Sequence, residues 1–159
     1  MRFVYPAELR RTGAEEFVVS FRDLPECLTS GADEADALAE AADALDEAVA
    51  GRLDDHEPIP PPSACRPGEY DVAVPPGTAA KAALALAFRD SGLSRTALAR
   101  RLGVDEKVVR RMLDPRHGTS VSRIHDALRA LGHELVVESA PTETRSVGNR
   151  SAVGGSAMS

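Results

Sequence analysis

The sequence predicts an α+β fold in two consecutive domains, and two patterns of apolar residues carry this prediction. In the first half, short stretches that alternate between apolar and polar residues stand on both sides of one long stretch with helical spacing. That order is typical of a β-β-β-α-β unit. In the second half, several shorter stretches with helical spacing follow one another, which indicates an all-α unit. We place the first domain at 1–74, the second at 78–138 and a disordered tail, rich in small polar residues, at 140–159.

Three strands are predicted before the long helix. The segment 2–9 alternates so that one face carries Phe3, Tyr5, Ala7 and Leu9. Pro6 indicates that this strand lies at an edge or contains a bulge, because proline donates no hydrogen bond to a neighbouring strand. The segment 16–21 is the expected hairpin partner, and 26–30 is a short third strand that ends at Gly31. Cys27, in the third strand, is expected to be a small apolar core residue.

A long helix is predicted from Asp33, a favourable N-cap residue, to about Ala50. Apolar residues spaced three and four apart form a stripe to be buried on the sheet, composed of Ala35, Leu38, Ala42, Leu45 and Val49. The other side carries four carboxylates at similar spacing: Asp36, Glu40, Asp43 and Glu47. This acidic face is either an ordinary solvated surface or a docking surface for a basic partner.

The connection 51–67 that follows the helix is rich in Asp and Pro. Its segment 58–63 is expected to be extended, since each proline fixes its own φ, and to form a rigid strap back across the domain. The alternating segment 70–74 is a fourth strand that either returns to the first sheet or begins the second domain. The segment 75–77 is expected to separate the two domains.

Four helices are predicted in the second domain. The first begins at Thr78 or Ala79, ends near Ser91, and has an inward face made of Ala80, Leu84, Ala87 and Phe88. Two short helices follow, and the last helix is capped by Ser120 and ends at Gly132. Its core-facing residues are expected to be Val121, Ile124, Leu128 and Leu131. The segment 134–138 is predicted to be a strand available to pair with a second copy of the chain.

The two short helices have the spacing of a helix-turn-helix motif. Ser94 and Asp105 can cap them, small Ala99 lets them approach, Gly103 supplies the positive φ of a helix end, and Val104 fills the turn. Seven Arg and Lys against three acids lie between Arg95 and Arg116. A plain helical hairpin with a solvated basic face is the alternative, yet every small and apolar position suits the motif. The predicted DNA-contacting residues are Ser94, Arg95, Thr96, Glu106, Lys107, Arg110, Arg111 and Arg116.

Charge, apolar runs and cysteine content limit the partners, the location and the cofactors that we expect for this chain. The net charge of −6 conceals an acidic first half and a second half with a basic patch, which suggests two partners of different charge. We expect a soluble cytoplasmic protein without a membrane partner, because neither a signal peptide nor an apolar run of spanning length is present. Cys27 and Cys65 make no disulfide framework, and no Cys–His cluster has zinc spacing, so we expect no metal and no cofactor.

Two stretches together resemble the HicB-type antitoxins of HicA–HicB toxin–antitoxin systems. The first is the segment 21–31, FRDLPECLTSG, followed by the acidic helix and the strap; the second is the helix-turn-helix that ends at 109–117, VRRMLDPRH. The resemblance covers about residues 1–138. Glu26 stands where the family usually has Gly. The resemblance implies a partial RNase H-like fold for the first domain and a helix-turn-helix of Xre/Cro type for the second.

The resemblance also implies partners. The first domain would bind and block a small basic HicA-like toxin, an mRNA-cleaving RNase, and the second would bind the operator of the chain's own operon. A homodimer or higher homo-oligomer is expected, since one helix-turn-helix reads only a few base pairs. The implied toxin-contacting residues are Phe21, Asp23, Leu24 and Cys27, together with the acidic face Asp36, Glu40, Asp43 and Glu47.

Two competing functions remain to be weighed against this one. A helix-turn-helix regulator with no toxin partner would need a small-molecule pocket, that is, an apolar cleft with convergent polar groups. A nuclease would need several carboxylates converging on divalent metal ions, and no acid stands within a strand pattern among apolar residues. Cys27 has no recognisable base nearby in the sequence to make it a nucleophile. We therefore expect no catalytic residues and a chain that is not an enzyme.

Overall fold

The computed structural model describes residues 1–141 and has an α+β fold, as predicted. Four strands and a long helix come first, followed by four shorter helices. The elements are β1 (Val4–Arg11), β2 (Phe17–Phe21), β3 (Leu28–Gly31), α1 (Glu34–Asp54), β4 (Tyr70–Ala73), α2 (Pro76–Ser91), α3 (Arg95–Leu102), α4 (Glu106–Leu113) and α5 (Val121–Ala130). No helix among these residues is both long and apolar enough to cross a membrane.

The four strands form one antiparallel sheet in the order β3-β2-β1-β4. The fourth strand therefore returns to the first sheet, where it pairs with β1. The expectation that Pro6 lies in an edge strand is wrong, because β1 has a neighbour on each side. The side of β1 towards which the backbone of Pro6 faces explains why proline is tolerated there. Phe3 accepts a hydrogen bond from Val74 on the β4 side, so Pro6, three residues on, faces the β2 side, where pairing begins only at Ala7.

Helix α1 packs across one face of the sheet. Asp33 caps it as predicted, its side chain accepting a hydrogen bond from the Asp36 N–H, and the helix continues to Asp54, past the predicted end. The predicted apolar stripe is rotated: Ala35 is exposed, and the buried residues of the helix are Ala37, Ala41, Leu45, Val49 and Ala50. Small alanines dominate this face because the helix lies very close to the sheet, and Gly31 of β3 lies directly beneath its first turn.

The proline-rich segment crosses the domain as a strap, as expected. Ile59 is buried in the core of the sheet and α1, and the Pro60 carbonyl accepts a 2.8 Å hydrogen bond from the Tyr5 hydroxyl. Burial is the main cause that raises the pKa of Tyr5 to about 12, so the phenol remains a donor at any physiological pH. The strap therefore forms part of the core.

Helix α2 joins two apolar cores and begins earlier than predicted. Two residues of the segment 75–77 belong to α2, because Pro76 is the first helical residue, a position where a missing N–H costs nothing. Ala82 packs into the core of the sheet and α1. The predicted inward residues Ala80, Leu84 and Ala87 are buried in the second core, with Phe88 partly buried against it. One continuous helix thus holds the two parts of the molecule together.

The helix-turn-helix is formed by α3 and α4. Ser94 and Asp105 cap the two helices through 3.1 and 2.8 Å hydrogen bonds, and Gly103 takes a φ of 65°. Val104 was expected to fill the turn but is exposed, and Val121 was expected in the core but is also exposed. Val121 is the first residue of α5, one turn before the buried part of the helix; the predicted core residues Ile124 and Leu128 are buried, together with Ala127.

The segment 134–138 is not a strand in the structure, contrary to the prediction. Val136 and Val137 are exposed, while Leu135 packs partly against the second core. A strand requires a hydrogen-bonded neighbour, and none of the described strands pairs with this segment. The predicted disordered tail lies outside the described residues from position 142 onwards.

Candidate functional site

The acidic face of α1 is the first candidate surface. Asp36, Glu40, Asp43 and Glu47 are all exposed along the side of the helix that faces away from the sheet. Two of them have contacts within the chain. Asp36 accepts a 3.0 Å hydrogen bond from the Ala32 N–H, and a Glu47 oxygen lies 3.5 Å from an Arg116 nitrogen. Glu40 and Asp43 are thus the members of this face that the fold uses least.

The structure does not bring three of the other four predicted toxin-contacting residues to the surface. Phe21, Leu24 and Cys27 are buried between the sheet and α1, so their side chains hold the core together. Cys27 lies just before β3, not within it. Burial is the main cause that raises the pKa of its thiol to about 11, and so the thiol is protonated at neutral pH. That state does not suit a nucleophile.

Asp23 anchors the strap. Its carboxylate accepts hydrogen bonds from the Ser63 N–H at 2.8 Å and the Ser63 hydroxyl at 2.6 Å. Next to it, Arg22 binds Glu69 through two nitrogens, at 2.9 and 3.0 Å. The residues of the FRDLP segment therefore act first as a clamp that holds the strap and the start of β4 against the sheet.

Glu26 has a partner on α1. Arg52 donates to both of its carboxylate oxygens, one of them at 3.2 Å, and also to the Pro58 carbonyl at 2.7 Å. This hydrogen bond from Arg52 is the main cause that holds the pKa of Glu26 below its usual range. The acid thus joins the 24–27 turn to the end of α1 and the start of the strap.

Leu28 is a surface feature that the sequence did not single out. It lies on β3, at the edge of the sheet, and its side chain is 64% exposed. Its cross-strand neighbour is Ser20, which pairs in turn with Glu8, so this row lies on the face opposite α1. Only the strand order shows that β3 is an edge. A large exposed apolar side chain beside unpaired strand backbone is a typical feature of a docking surface.

The outer face of α4 is the second candidate surface. Lys107, Arg110 and Arg111 are exposed, opposite the buried Val109 and Met112. Glu106 is half-buried and orients two neighbouring cations. It accepts a 2.8 Å hydrogen bond from Arg110, one turn further on, and lies 3.9 Å from Arg95 of α3. Glu106 therefore acts as a positioning residue among the predicted DNA-contacting side chains.

The remaining predicted DNA contacts are at the ends of this motif. The Ser94 hydroxyl oxygen is engaged in capping α3, whereas Thr96 is exposed in the first turn. Arg116 lies in the loop after α4, where it binds Asp54 and Glu47 of α1. These two ion pairs connect the two candidate surfaces.

A basic cavity lies beside α4, and Arg111 is the one residue of its lining that the sequence predicted as a DNA contact. It has a volume of about 220 Å³ and is lined by Arg111, His117, Ser120 and Arg123, among others. Ser120 caps α5, and Arg123 lies in the first turn of that helix. The capping serine was recognised in the sequence, but its closeness to Arg111 depends on how α5 packs.

Lys81 is the one buried charged residue in the part of the chain that the structure describes. Its ammonium donates three hydrogen bonds, to the Arg111 carbonyl at 2.9 Å, the Met112 carbonyl at 2.8 Å and the Thr119 hydroxyl at 2.7 Å. Burial lowers its pKa, and nearby Asp114 partly opposes this effect. A cation placed on the last carbonyls of α4 fixes that helix to α2.

Within residues 1–141, no three His, Cys, Asp or Glu side chains come together in a way that could hold a metal ion. A larger groove, of about 580 Å³, runs between the end of α1, the strap, α2 and α4. Its apolar lining includes Leu53, Ile59, Leu86, Phe88 and Leu113.

Comparison with known proteins relates the chain to one family. Residues 4–83 match the family described as HicB-like antitoxin of bacterial toxin–antitoxin system. The chain is 38% identical over 133 residues to "Antitoxin HicB 1" of Photorhabdus laumondii, covering 84% of each protein. It is 36% identical over 131 residues to "Antitoxin HicB" of Escherichia coli K12, covering 82% of this chain and 95% of that protein. "Antitoxin HicB" of Pseudomonas fluorescens is 33% identical over 123 residues, 75% of this chain and 82% of that protein.

Proposed function

The chain belongs to the HicB-like family of antitoxins, and on that premise we propose that it binds and neutralises a small, basic, mRNA-cleaving toxin of HicA type and represses its own operon by binding operator DNA. The observation that carries the first half is the exposed acidic face of α1. A toxin that cleaves RNA needs cationic surface to hold phosphates, and an acidic helix can attract that surface and occupy it.

The charged face and the apolar contacts have different roles in this proposal. Exposed carboxylates act mainly on the rate of association and are screened by salt, whereas slow dissociation needs apolar packing. Phe21, Leu24 and Cys27 are buried, so they support the surface from below. Leu28 on the edge strand and the exposed parts of the strap are the available apolar contacts.

The test is charge reversal on the two acids that the fold uses least. Glu40→Lys with Asp43→Lys should slow association with a HicA-type toxin at low salt, and should weaken protection of cells that express that toxin. At 1 M salt the difference should nearly vanish, because the Debye length falls to about 3 Å. Glu15→Lys with Asp126→Lys is the matched control, since it changes the charge equally at exposed positions on the β1–β2 turn and α5. Equal association rates for the two variants would contradict the assignment.

The second half of the proposal rests on the geometry of α3 and α4. The three exposed cations of α4 lie on the face opposite its buried residues, where a recognition helix presents side chains to the major groove. Lys107 and Arg110 are proposed to approach base edges, and Arg111 and Arg116 to contact phosphates. A dimer is proposed because two copies of the motif read a longer site, and the exposed Val136 and Val137 offer a contact between copies.

A second candidate function has one observation in its favour. The groove of about 580 Å³ between the end of α1 and α4 combines apolar walls with Arg89, Arg95 and Arg110. Such a cleft suits a helix-turn-helix regulator that senses a small molecule. Native mass spectrometry of the purified chain distinguishes the two functions: a small copurifying ligand without a protein partner favours the sensor, and a stable complex with a basic protein favours the antitoxin.

A further inference from the structure

Lys81 of α2 supplies two hydrogen-bond donors that the backbone lacks at the end of α4. In a helix, each carbonyl accepts a hydrogen bond from the N–H four residues further on. The partner of the Arg111 carbonyl would be Pro115, which has no N–H. The partner of the Met112 carbonyl would be Arg116, whose N–H donates instead to a carboxylate of the loop. The Lys81 ammonium donates to both carbonyls, at 2.9 and 2.8 Å, and so determines how α4 ends.

The same ammonium also fixes the loop that follows α4. Its third hydrogen bond, of 2.7 Å, is to the hydroxyl of Thr119, immediately before the N-cap residue of α5. The three residues that accept from Lys81 all line the basic cavity beside α4. Two cations proposed to contact phosphates, Arg111 and Arg116, lie at the first of these attachment points and within the loop between them. Lys81 therefore sets the position of the backbone that carries both.

Lys81 cannot contact DNA itself, because only 4% of its surface is exposed. Its three partners are two carbonyls and a hydroxyl, none of them a carboxylate. Desolvation opposes the charged form and lowers its pKa, so a buried ammonium is a costly way to stabilise a fold. It does require one arrangement of the groups around it, because a carbonyl that moved away would leave two buried polar groups unpaired.

We propose that Lys81 is a positioning residue for operator recognition, which holds the end of α4 and the 114–119 loop in the arrangement that brings base-reading and phosphate-contacting side chains onto DNA together. The proposal rests on the DNA-binding half of the function proposed above. Hydrogen bonds to base edges depend strongly on distance and angle, whereas long cationic side chains follow phosphates over small displacements. Loss of Lys81 should therefore reduce discrimination between sequences more than general affinity for DNA.

The test measures the ratio of two affinities of the full chain, by fluorescence anisotropy across a range of salt. One duplex is the promoter region upstream of the chain's own gene, and the other is a mixed sequence of the same length. Partial unfolding lowers both affinities by the same factor, so their ratio reports position and not stability. Lys81→Met removes the ammonium and keeps a long side chain. Ile124→Val, which removes one methyl group from the second core, is the control for lost stability.

Lys81→Met should lower the ratio several-fold, and Ile124→Val should leave it unchanged. For the mixed-sequence duplex, the slope of log affinity against log salt should be the same in Lys81→Met as in the unmodified chain, because Lys81 contacts no phosphate. Arg111→Ala should reduce the magnitude of that slope by about one, the contribution of one phosphate contact. The slope thus separates a residue that positions from a residue that binds.

Two substitutions of Thr119 test the same attachment without removing a charge. Thr119→Val keeps the shape of the side chain and loses the hydroxyl that accepts from Lys81, whereas Thr119→Ser keeps the hydroxyl. Thr119→Val should lower the ratio, by less than Lys81→Met does, and Thr119→Ser should preserve it. This pair decides the question if Lys81→Met does not fold.

Two results would overturn the proposal and leave the proposed function intact. The first is an unmodified chain that prefers the promoter duplex together with a Lys81→Met variant, or a Thr119→Val variant in its place, that keeps the whole preference. The second is a salt slope reduced by about one in Lys81→Met, which would mean that its charge acts on phosphates. If the unmodified chain prefers neither duplex, the DNA half of the proposed function fails, and the role of Lys81 fails with it.

Discussion

At the scale of single residues, several charged side chains contact groups that lie far from them along the sequence. Arg22, Asp23, Arg52 and Lys81 all bind groups that lie more than five residues away along the chain. None of these contacts follows a helical or strand period, so the periodicity of the sequence did not indicate them. Asp23 illustrates the consequence: the motif identified it as functional, and its carboxylate holds the strap.

At this scale, Arg110 is predicted to contact a base of the operator. Arg110→Ala should weaken operator binding and relax the sequence preference, because an arginine paired with guanine through two hydrogen bonds is worth about 1–3 kcal/mol. Gel shifts at physiological salt with the operator and with single-base variants measure both effects. Arg129→Ala, which removes an exposed cation from the end of α5, should leave the preference unchanged. Normal binding by Arg110→Ala would contradict the assignment.

Glu26 carries a prediction about pH. Its pKa is lowered in the folded chain by the hydrogen bond from Arg52, so the ionised form stabilises the fold. This contribution is fully present above the unfolded pKa, about 4.3, and is lost as the pH falls through the lower folded value. Because the side chain is 44% exposed, Glu26→Gln should cost less than about 1 kcal/mol at pH 7. Urea titrations should show that cost disappearing as the pH falls through the lowered pKa of Glu26, and a cost independent of pH would exclude the ion pair as its cause.

At the scale of elements, close packing decides which residues are tolerated between α1 and the sheet. Alanines on the buried face of α1 let the helix approach β3, and this approach rotates the buried face away from the stripe that the sequence predicted. Apolar residues spaced three and four apart define the buried side of α1 only approximately. Alanines lie at both edges of the predicted stripe, so the sequence does not show which edge faces the sheet. Contact with the sheet selects Ala37 and Ala41 over Ala35.

Two glycines on these elements should respond in opposite ways to the same substitution. A Cβ on Gly31 would lie 2.3 Å from the Ala37 backbone nitrogen, so Gly31→Ala must push α1 away from the sheet. We expect a loss of more than about 2 kcal/mol in the free energy of unfolding. Gly51 lies within α1 with open space around it, so Gly51→Ala should gain up to about 1 kcal/mol through helix propensity. Chemical denaturation measures both, and equal effects would show that the approach of α1 is looser than described.

At the scale of the whole molecule, the two apolar cores are joined by one helix and by the Arg116 ion pairs. The family match at residues 4–83 extends into α2, in agreement with the packing of Ala82 against the sheet domain. A boundary placed before α2 would therefore remove a buried part of the first core. The function proposed for each domain thus depends on a helix that the two share.

At this scale we predict that the chain forms a dimer. Dimers should read an inverted repeat with half-sites about 34 Å apart, or a multiple of that distance. Val136→Asp with Val137→Asp should shift the chain towards the monomer and shorten the DNA footprint, because both side chains are exposed in the single chain. Light scattering at micromolar concentration and footprinting measure these effects. Asp substitutions at exposed Val104, in the turn between α3 and α4, and Val121, in α5, serve as the control for added charge in the light-scattering measurement. A monomer in the unmodified chain would exclude this contact.

The sequence by itself determined the local features: the α+β class, the four strands of the sheet to within a few residues, the caps at Asp33, Ser94 and Asp105, and the exposed charges of α1 and α4. These features depend on neighbours within a turn or two, where periodicity and capping chemistry act. Only the tertiary structure decided that β1 is central despite Pro6, that the FRDLP segment clamps the strap, and that Lys81 holds the end of α4. It also brought Arg116 to α1, 62 residues from Asp54 along the chain. Such contacts arise when separate elements pack together, and no spacing in the sequence records which elements will meet.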